Sequence, residues 1–110
     1  MDLAPQLSPA QAGAALRDEG AIAVDVREVE EWRAGHVDGS VWIPLGELAA
    51  RAGELPRDRP LVIVCRTGSR SGYAADALAA AGFDARNLAG GLQQWVAADL
   101  PLAPAGGIVL

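Results

Sequence analysis

The single cysteine, Cys65, is followed by Arg66-Thr67-Gly68-Ser69-Arg70. Directly before it, Leu61-Val62-Ile63-Val64 has the short, apolar, β-branched character of a buried strand. A helix is expected to begin near Ser71, with Ala74, Ala77, Leu78 and Ala81 forming one apolar face. The thiol thus falls between the carboxyl end of a strand and the amino end of a helix, where open α/β sheets bind ligands. Gly68 permits a tight turn. The successive N–H groups of such a loop can converge on one centre as an anion-binding nest. The helix end and the charges of Arg66 and Arg70 strengthen that field.

A free thiol titrates near about 8.5, so only a few per cent is thiolate at neutral pH. A helix N-terminus supplies about 0.3–1 kcal/mol, and up to about 2 in a partly buried site. One pH unit corresponds to about 1.4 kcal/mol. The dipole therefore moves the thiol by about one pH unit, and anything larger must come from converging N–H groups and the two arginines. This setting favours a reactive thiolate and also stabilises an anionic substrate or a persulfide anion. Without such a loop, a lone cysteine at a strand end is most simply a small buried hydrophobe. The chemical reading requires the sulfur to be reachable from solvent and the surrounding amides to face it.

Composition narrows the remaining chemistry. All nine basic residues of the 110-residue chain are arginines. Without lysine there is no Schiff-base amine and no Walker-type phosphate loop. One Cys and one His cannot build a Cys/His zinc cluster, and one Cys forms no internal disulfide. No metal or organic cofactor is expected. The net charge of −5 argues against a nucleic-acid partner, so any anion site must be local. The longest apolar runs fall far short of the roughly 20 residues of a membrane helix. Met1-Asp2-Leu3 lacks the basic start of a secretory signal, which places the expected chain in the cytoplasm.

The elements that position the loop can be read in order. Ser8-Pro9-Ala10-Gln11 is a capping box with proline at the first helical position, and the helix runs to Gly20. Ala21 to Val26 is a buried strand. Glu28 to Ala34 is a short helix with acids at its start, as the dipole prefers, and its glutamates form a solvated face. Val41-Trp42-Ile43 is a strand closed by Pro44, and Leu45 to Ala52 is expected to hold a helix. After the central strand and its helix, which Gly82 stops, come a strand at Arg86-Asn87-Leu88 and a helix from Leu92 to Ala98. The alternation predicts an α/β domain with a central, mostly parallel sheet flanked by helices. One domain over residues 1–110 is expected, with a core of about 5–102 and an irregular apolar tail over 103–110.

Asp25, near the end of a buried strand, and Arg27, just after it, are expected to form an internal ion pair or to hold neighbouring backbone, supporting the site rather than reacting. Trp32, Trp42 and Trp95 are expected to pack in the core or at its rim.

Several segments together resemble a rhodanese domain. Asp25-Val26-Arg27-Glu28, Glu31-Trp32, Gly35-His36-Val37-Asp38-Gly39-Ser40 and Ile43-Pro44-Leu45 look like its first half. Val64-Cys65-Arg66-Thr67-Gly68-Ser69-Arg70-Ser71, Ala80-Ala81-Gly82-Phe83, Asn87-Leu88-Ala89-Gly90-Gly91-Leu92, Trp95 and Leu100-Pro101 look like its second. The resemblance spans roughly residues 5 to 102.

The resemblance implies a rhodanese-like three-layer fold and a thiosulfate sulfurtransferase. Cys65 would take the outer sulfur of a small anionic donor and become a persulfide. Cyanide, a thiol or a protein acceptor would then remove the sulfur. Arg66, Thr67, Gly68, Ser69 and Arg70 would form the donor's cradle. His36 would sit in a turn and tie loops together in a supporting role. A sulfur carrier without turnover, or a protein-interaction module, is the alternative. Related cell-cycle phosphatases and arsenate reductases place arginine six positions after the cysteine; here Arg70 is five after it and Val64 stands where a histidine usually precedes.

Overall fold

β4 (Leu61–Val64) lies at the centre of a five-stranded sheet in the computed structural model, which describes residues 3–110. The strand order is β1-β5-β4-β2-β3, with β1 at Gln6–Leu7, β2 at Ile22–Asp25, β3 at Val41–Trp42 and β5 at Ala85–Leu88. Every strand pairing is parallel.

A parallel strand covered on both faces needs apolar residues throughout, and all four residues of β4 are at most 1% exposed. Side chains alternate between faces. Leu61 and Ile63, with Val24 and Val26, pack against Leu48 of α3 (Leu48–Arg51) and against Ala74, Ala75 and Leu78 of α4 (Ser69–Ala80). Val62 and Val64, with Ala23, pack against Ala12 and Ala15 of α1 (Pro9–Asp18) and Leu92 and Trp95 of α5 (Gly91–Ala97). These layers are the expected α/β architecture.

Local signals explain the helix starts. The Ser8 hydroxyl accepts from the Gln11 N–H at 3.1 Å, and the Ser8 N–H donates to the Gln11 side chain at 2.8 Å. At α2 (Val29–Ala34), the Glu31 carboxylate accepts from the Glu28 N–H at 3.1 Å. Helix α4 begins at Ser69, earlier than the expected start near Ser71, because Gly68 takes the left-handed conformation (φ +93°) immediately before it.

Two expectations need correction. Residues Leu45 to Ala52 do not form one helix. A 3₁₀ turn (Leu45–Glu47), one α-turn (α3) and another 3₁₀ turn (Ala52–Glu54) follow one another. Gly46 and Gly53 flank α3, and glycine weakens helical continuity by about 1 kcal/mol relative to alanine. Strand β1 was not foreseen, since two residues carry no periodicity. It is held by β5: the Asn87 N–H donates to Pro5 O and the Ala89 N–H to Leu7 O, both at 2.8 Å.

The apolar tail packs on its own chain. Ala103 and His36 exchange backbone hydrogen bonds at 2.7 and 2.9 Å, and the Ile108 N–H donates to Ala34 O at 2.9 Å. Gly35 permits this approach, because a Cβ there would lie 2.7 Å from the Ile108 backbone. No helix among the described residues is long and apolar enough to cross a membrane.

Candidate functional site

Cys65 lies just beyond the carboxyl end of β4, and the loop after it curls over the sulfur. The Gly68 N–H reaches Sγ at 3.1 Å, the Ser71 N–H at 3.3 Å and the Ser71 hydroxyl at 3.2 Å. The amides therefore face the sulfur, as a nest requires. Burial pushes the thiol up, but the Ser71 hydroxyl and the N–H groups of Ser71, Thr67 and Gly68 outweigh it and hold Cys65 below the ordinary thiol range.

Accessibility differs from the expectation of a reachable sulfur. Cys65 is only 1% exposed and packs within the apolar cluster on the α3/α4 face. The reason is the strand alternation itself: Leu61, Ile63 and Cys65 share one face.

The loop is held from behind by α5. The Leu92 N–H donates to Cys65 O at 2.8 Å and the Gln93 N–H to Arg66 O at 3.0 Å. Gly91 makes this approach possible: a Cβ there would lie 2.4 Å from Arg66 O and 2.5 Å from Thr67 N. Gly68 is similarly close to Gly90, with a hypothetical Cβ 3.0 Å from Gly90 N.

The charged residues divide their work. Arg66 and Thr67 are exposed on the loop, as is Ser69. Arg70 gives both terminal guanidinium nitrogens to Glu31, at 2.7 and 2.8 Å. That pair holds the Glu31 carboxyl below its ordinary range and raises Arg70. Glu31 is thus a partner of the loop, which corrects its reading as part of a solvated face. Asp25 and Arg27 form an ion pair at 2.8 Å, both side chains fully buried. Arg27 also donates to Gly35 O at 2.7 Å, while its Nη1 is buried without a hydrogen-bond partner.

His36 stands apart from the sulfur in its bonding. Its Nδ1 lies 2.9 Å from Trp32 O, and a carbonyl only accepts, so Nδ1 carries the proton. Its ring stacks on Trp32 with centroids 3.7 Å apart. Trp42 donates its indole N–H to Arg27 O, and the buried Trp95 donates to Pro101 O. All three tryptophans pack structurally.

The sequence reading missed Ser71 and Asn87 as members of the site. Ser71 is fully buried in the first turn of α4, and its hydroxyl lies 2.6 Å from Asn87 Oδ1. The Asn87 amide then donates to Gln6 Oε1 at 2.8 Å and Gly68 O at 3.2 Å. A serine and an asparagine at otherwise apolar positions of a buried helix turn and strand were the available signal. The Gly90-Gly91 pair before a helix was the signal for the buttress.

A family model described as a rhodanese-like domain matches residues 8–98. The thiosulfate sulfurtransferase GlpE of Pseudomonas savastanoi pv. phaseolicola is 36% identical over 88 residues, covering 79% of this chain and 83% of that protein. YrkF of Bacillus subtilis, a protein named as a sulfur carrier, is 40% identical over 79 residues. That match covers 71% of this chain, which spans less than half of the relative (43%). The crystal structure of a rhodanese-related protein from Thermoplasma volcanium superposes with a TM-score of 0.85 at 27% identity, covering 90% of this chain and 97% of that one.

Proposed function

The chain belongs to the rhodanese-like domain family, and from that premise we propose that it is a thiosulfate sulfurtransferase working through a persulfide on Cys65. The observation that carries this reading is the ring of donors on Sγ: two backbone N–H groups and one hydroxyl within 3.3 Å, which hold the thiol below its ordinary range despite burial.

In the first half-reaction the Cys65 thiolate attacks the outer sulfur of thiosulfate. A bond forms between Sγ and that sulfur, the donor's S–S bond breaks, and sulfite leaves with the electron pair. The outer sulfur now carries the negative charge as Cys65–S–S⁻. In the second half-reaction cyanide or a thiolate attacks this outer sulfur. The Sγ–S bond breaks, thiocyanate or a new persulfide departs, and the Cys65 thiolate is restored. No proton or external electron is needed in either step. Arg66, Thr67, Gly68, Ser69 and Arg70 cradle the anionic donor, with Arg70 giving up part of its hold on Glu31. Asp25, Arg27 and His36 act at one remove, by fixing the backbone beyond the carboxyl end of β2. The whole described chain acts as one domain, in a reducing cytoplasmic setting that keeps its single thiol free.

A second reading is a sulfur carrier or protein-interaction module that loads without turnover. The 1% exposure of Cys65 favours it, since a partner that opens the loop would serve better than a freely diffusing donor.

The test is to incubate the protein with thiosulfate and weigh it intact. Gain of one sulfur atom, its loss on adding cyanide, and steady thiocyanate production support the enzyme. Loading without turnover favours the carrier. No loading at any donor concentration defeats the enzyme reading. Cys65→Ser should abolish the gain while leaving the fold intact.

A further inference from the structure

The Ser71 hydroxyl has one proton and two neighbours that could accept it: Asn87 Oδ1 at 2.6 Å and Cys65 Sγ at 3.2 Å. The orientation of the Asn87 amide is fixed, because its Nδ2 lies 3.2 Å from Gly68 O, and a backbone carbonyl can only accept. Asn87 therefore turns an oxygen toward Ser71. Gln6, on β1, takes the remaining amide proton at 2.8 Å and closes the chain of bonds. Ser71 is fully buried and Asn87 is 3% exposed, so water does not readily supply a substitute partner for either.

We propose that Asn87 is a positioning residue for sulfur transfer: its oxygen competes with the Cys65 sulfur for the Ser71 proton, so the hydroxyl turns to Sγ only when Sγ is charged. With Cys65 as a neutral thiol, Ser71 donates along the shorter contact to Asn87, and its oxygen is left free to accept from the S–H. With Cys65 as a thiolate, the charge-assisted bond is the stronger one and the hydroxyl turns to sulfur. In the persulfide, charge resides on the outer sulfur and Sγ is neutral again, so the hydroxyl returns to Asn87. When an acceptor removes the outer sulfur, charge reappears on Sγ and Ser71 swings back. The pair thus favours the leaving thiolate at the step where it is released. This use of the pair rests on the sulfur-transfer reading, but the hydroxyl's two positions do not.

The test is an ultraviolet titration of the Cys65 thiolate, with Cys65→Ser as the blank, in the wild type, Ser71→Ala, Asn87→Val and the double variant. The other charged groups near the thiol are the loop's Arg66, the Arg70–Glu31 pair from α4 and α2, and the Asp25–Arg27 pair at the carboxyl end of β2. All are the same in every variant. Ser71→Ala should leave about tenfold less thiolate at a given pH, one pH unit upward. Asn87→Val should leave several-fold more, because the hydroxyl loses its competing acceptor. The double variant should match Ser71→Ala. An equal Asn87→Val effect with and without Ser71, or an effect of opposite sign, overturns the proposal.

Should Asn87→Val fail to fold, the infrared S–H band of the acidified wild type decides. A band shifted to lower frequency, as for a donating thiol, and returned by Ser71→Ala supports the proposal; a wild-type band at the free-thiol position overturns it. Neither measurement needs a sulfur donor, so a failure of sulfur loading and a failure of this switch are separately visible.

Discussion

Gly91 stands directly behind the Arg66 carbonyl, so close that a Cβ at this position would lie 2.4 Å from the oxygen. Its φ of +64° adds a second constraint. This single contact lets α5 present the Leu92 and Gln93 N–H groups to the loop that encloses Cys65.

Gly91→Ala should therefore harm both loop and fold. Left-handed backbone costs a non-glycine residue about 1–2 kcal/mol, and the backbone collision adds to that. Urea denaturation should show a loss of at least that size, with sulfur loading impaired. Gly46→Ala is the control, since a Cβ there meets nothing within 4 Å. Equal stability and loading in the two variants would remove the buttress role.

The Asp25–Arg27 pair predicts a large effect from a small change. Both side chains are 0% exposed, and the Asp25 carboxylate also accepts the Arg27 backbone N–H at 3.0 Å. Asp25→Ala leaves a buried guanidinium without its counter-charge, a loss of about 3–5 kcal/mol. That is a large share of a typical domain stability of about 5–15 kcal/mol. The urea midpoint should fall sharply, and a change below about 1 kcal/mol would contradict the pair's structural weight.

What the sequence disclosed was local, and what it concealed was long-range. The Ser8–Gln11 box and the apolar run of β4 involve neighbours in the chain, so spacing reports them. Arg70 and Glu31 are 39 residues apart, and Ser71 and Asn87 are 16 apart across a helix and a strand. No periodicity links such pairs; only the sheet order brings them together. The burial of Cys65 was legible in principle, because period two carries Leu61 and Ile63 on to Cys65. The residue types of the loop report the converging amides but not the face on which the sulfur sits.

The depressed Cys65 thiol sets a pH dependence with a definite sign. In the unfolded chain the thiol titrates at its ordinary value, so between the folded and ordinary values the unfolded state binds more protons. The stabilisation is complete above the ordinary value and is lost as pH falls through the folded one. Unfolding free energy should climb with pH across that interval by at most about 1.4 kcal/mol per pH unit. Cys65→Ser should flatten this rise. Glu31, held down by Arg70, acts in the same sense in the acid range below its ordinary 4.5. A Cys65→Ser protein with the same alkaline slope as wild type would assign the rise to another group.

Arg70 poses the sharpest question about donor binding, because its charge is already engaged by Glu31. Releasing it should help an anionic donor. Glu31→Gln keeps the shape and the α2 capping acceptor but removes the negative charge that competes for the guanidinium. The pair is partly exposed, with side-chain exposures of 35% and 16%, so its strength is screened to about 0–1 kcal/mol. The KM for thiosulfate should accordingly fall by up to about fivefold in Glu31→Gln and rise in Arg70→Ala. In the Arg70→Ala background, Glu31→Gln should lose most of its benefit. If both variants leave KM unchanged, Arg70 is a tie between α4 and α2 and not part of the donor cradle. If Glu31→Gln raises KM instead, the ion pair is what holds the loop in its binding shape.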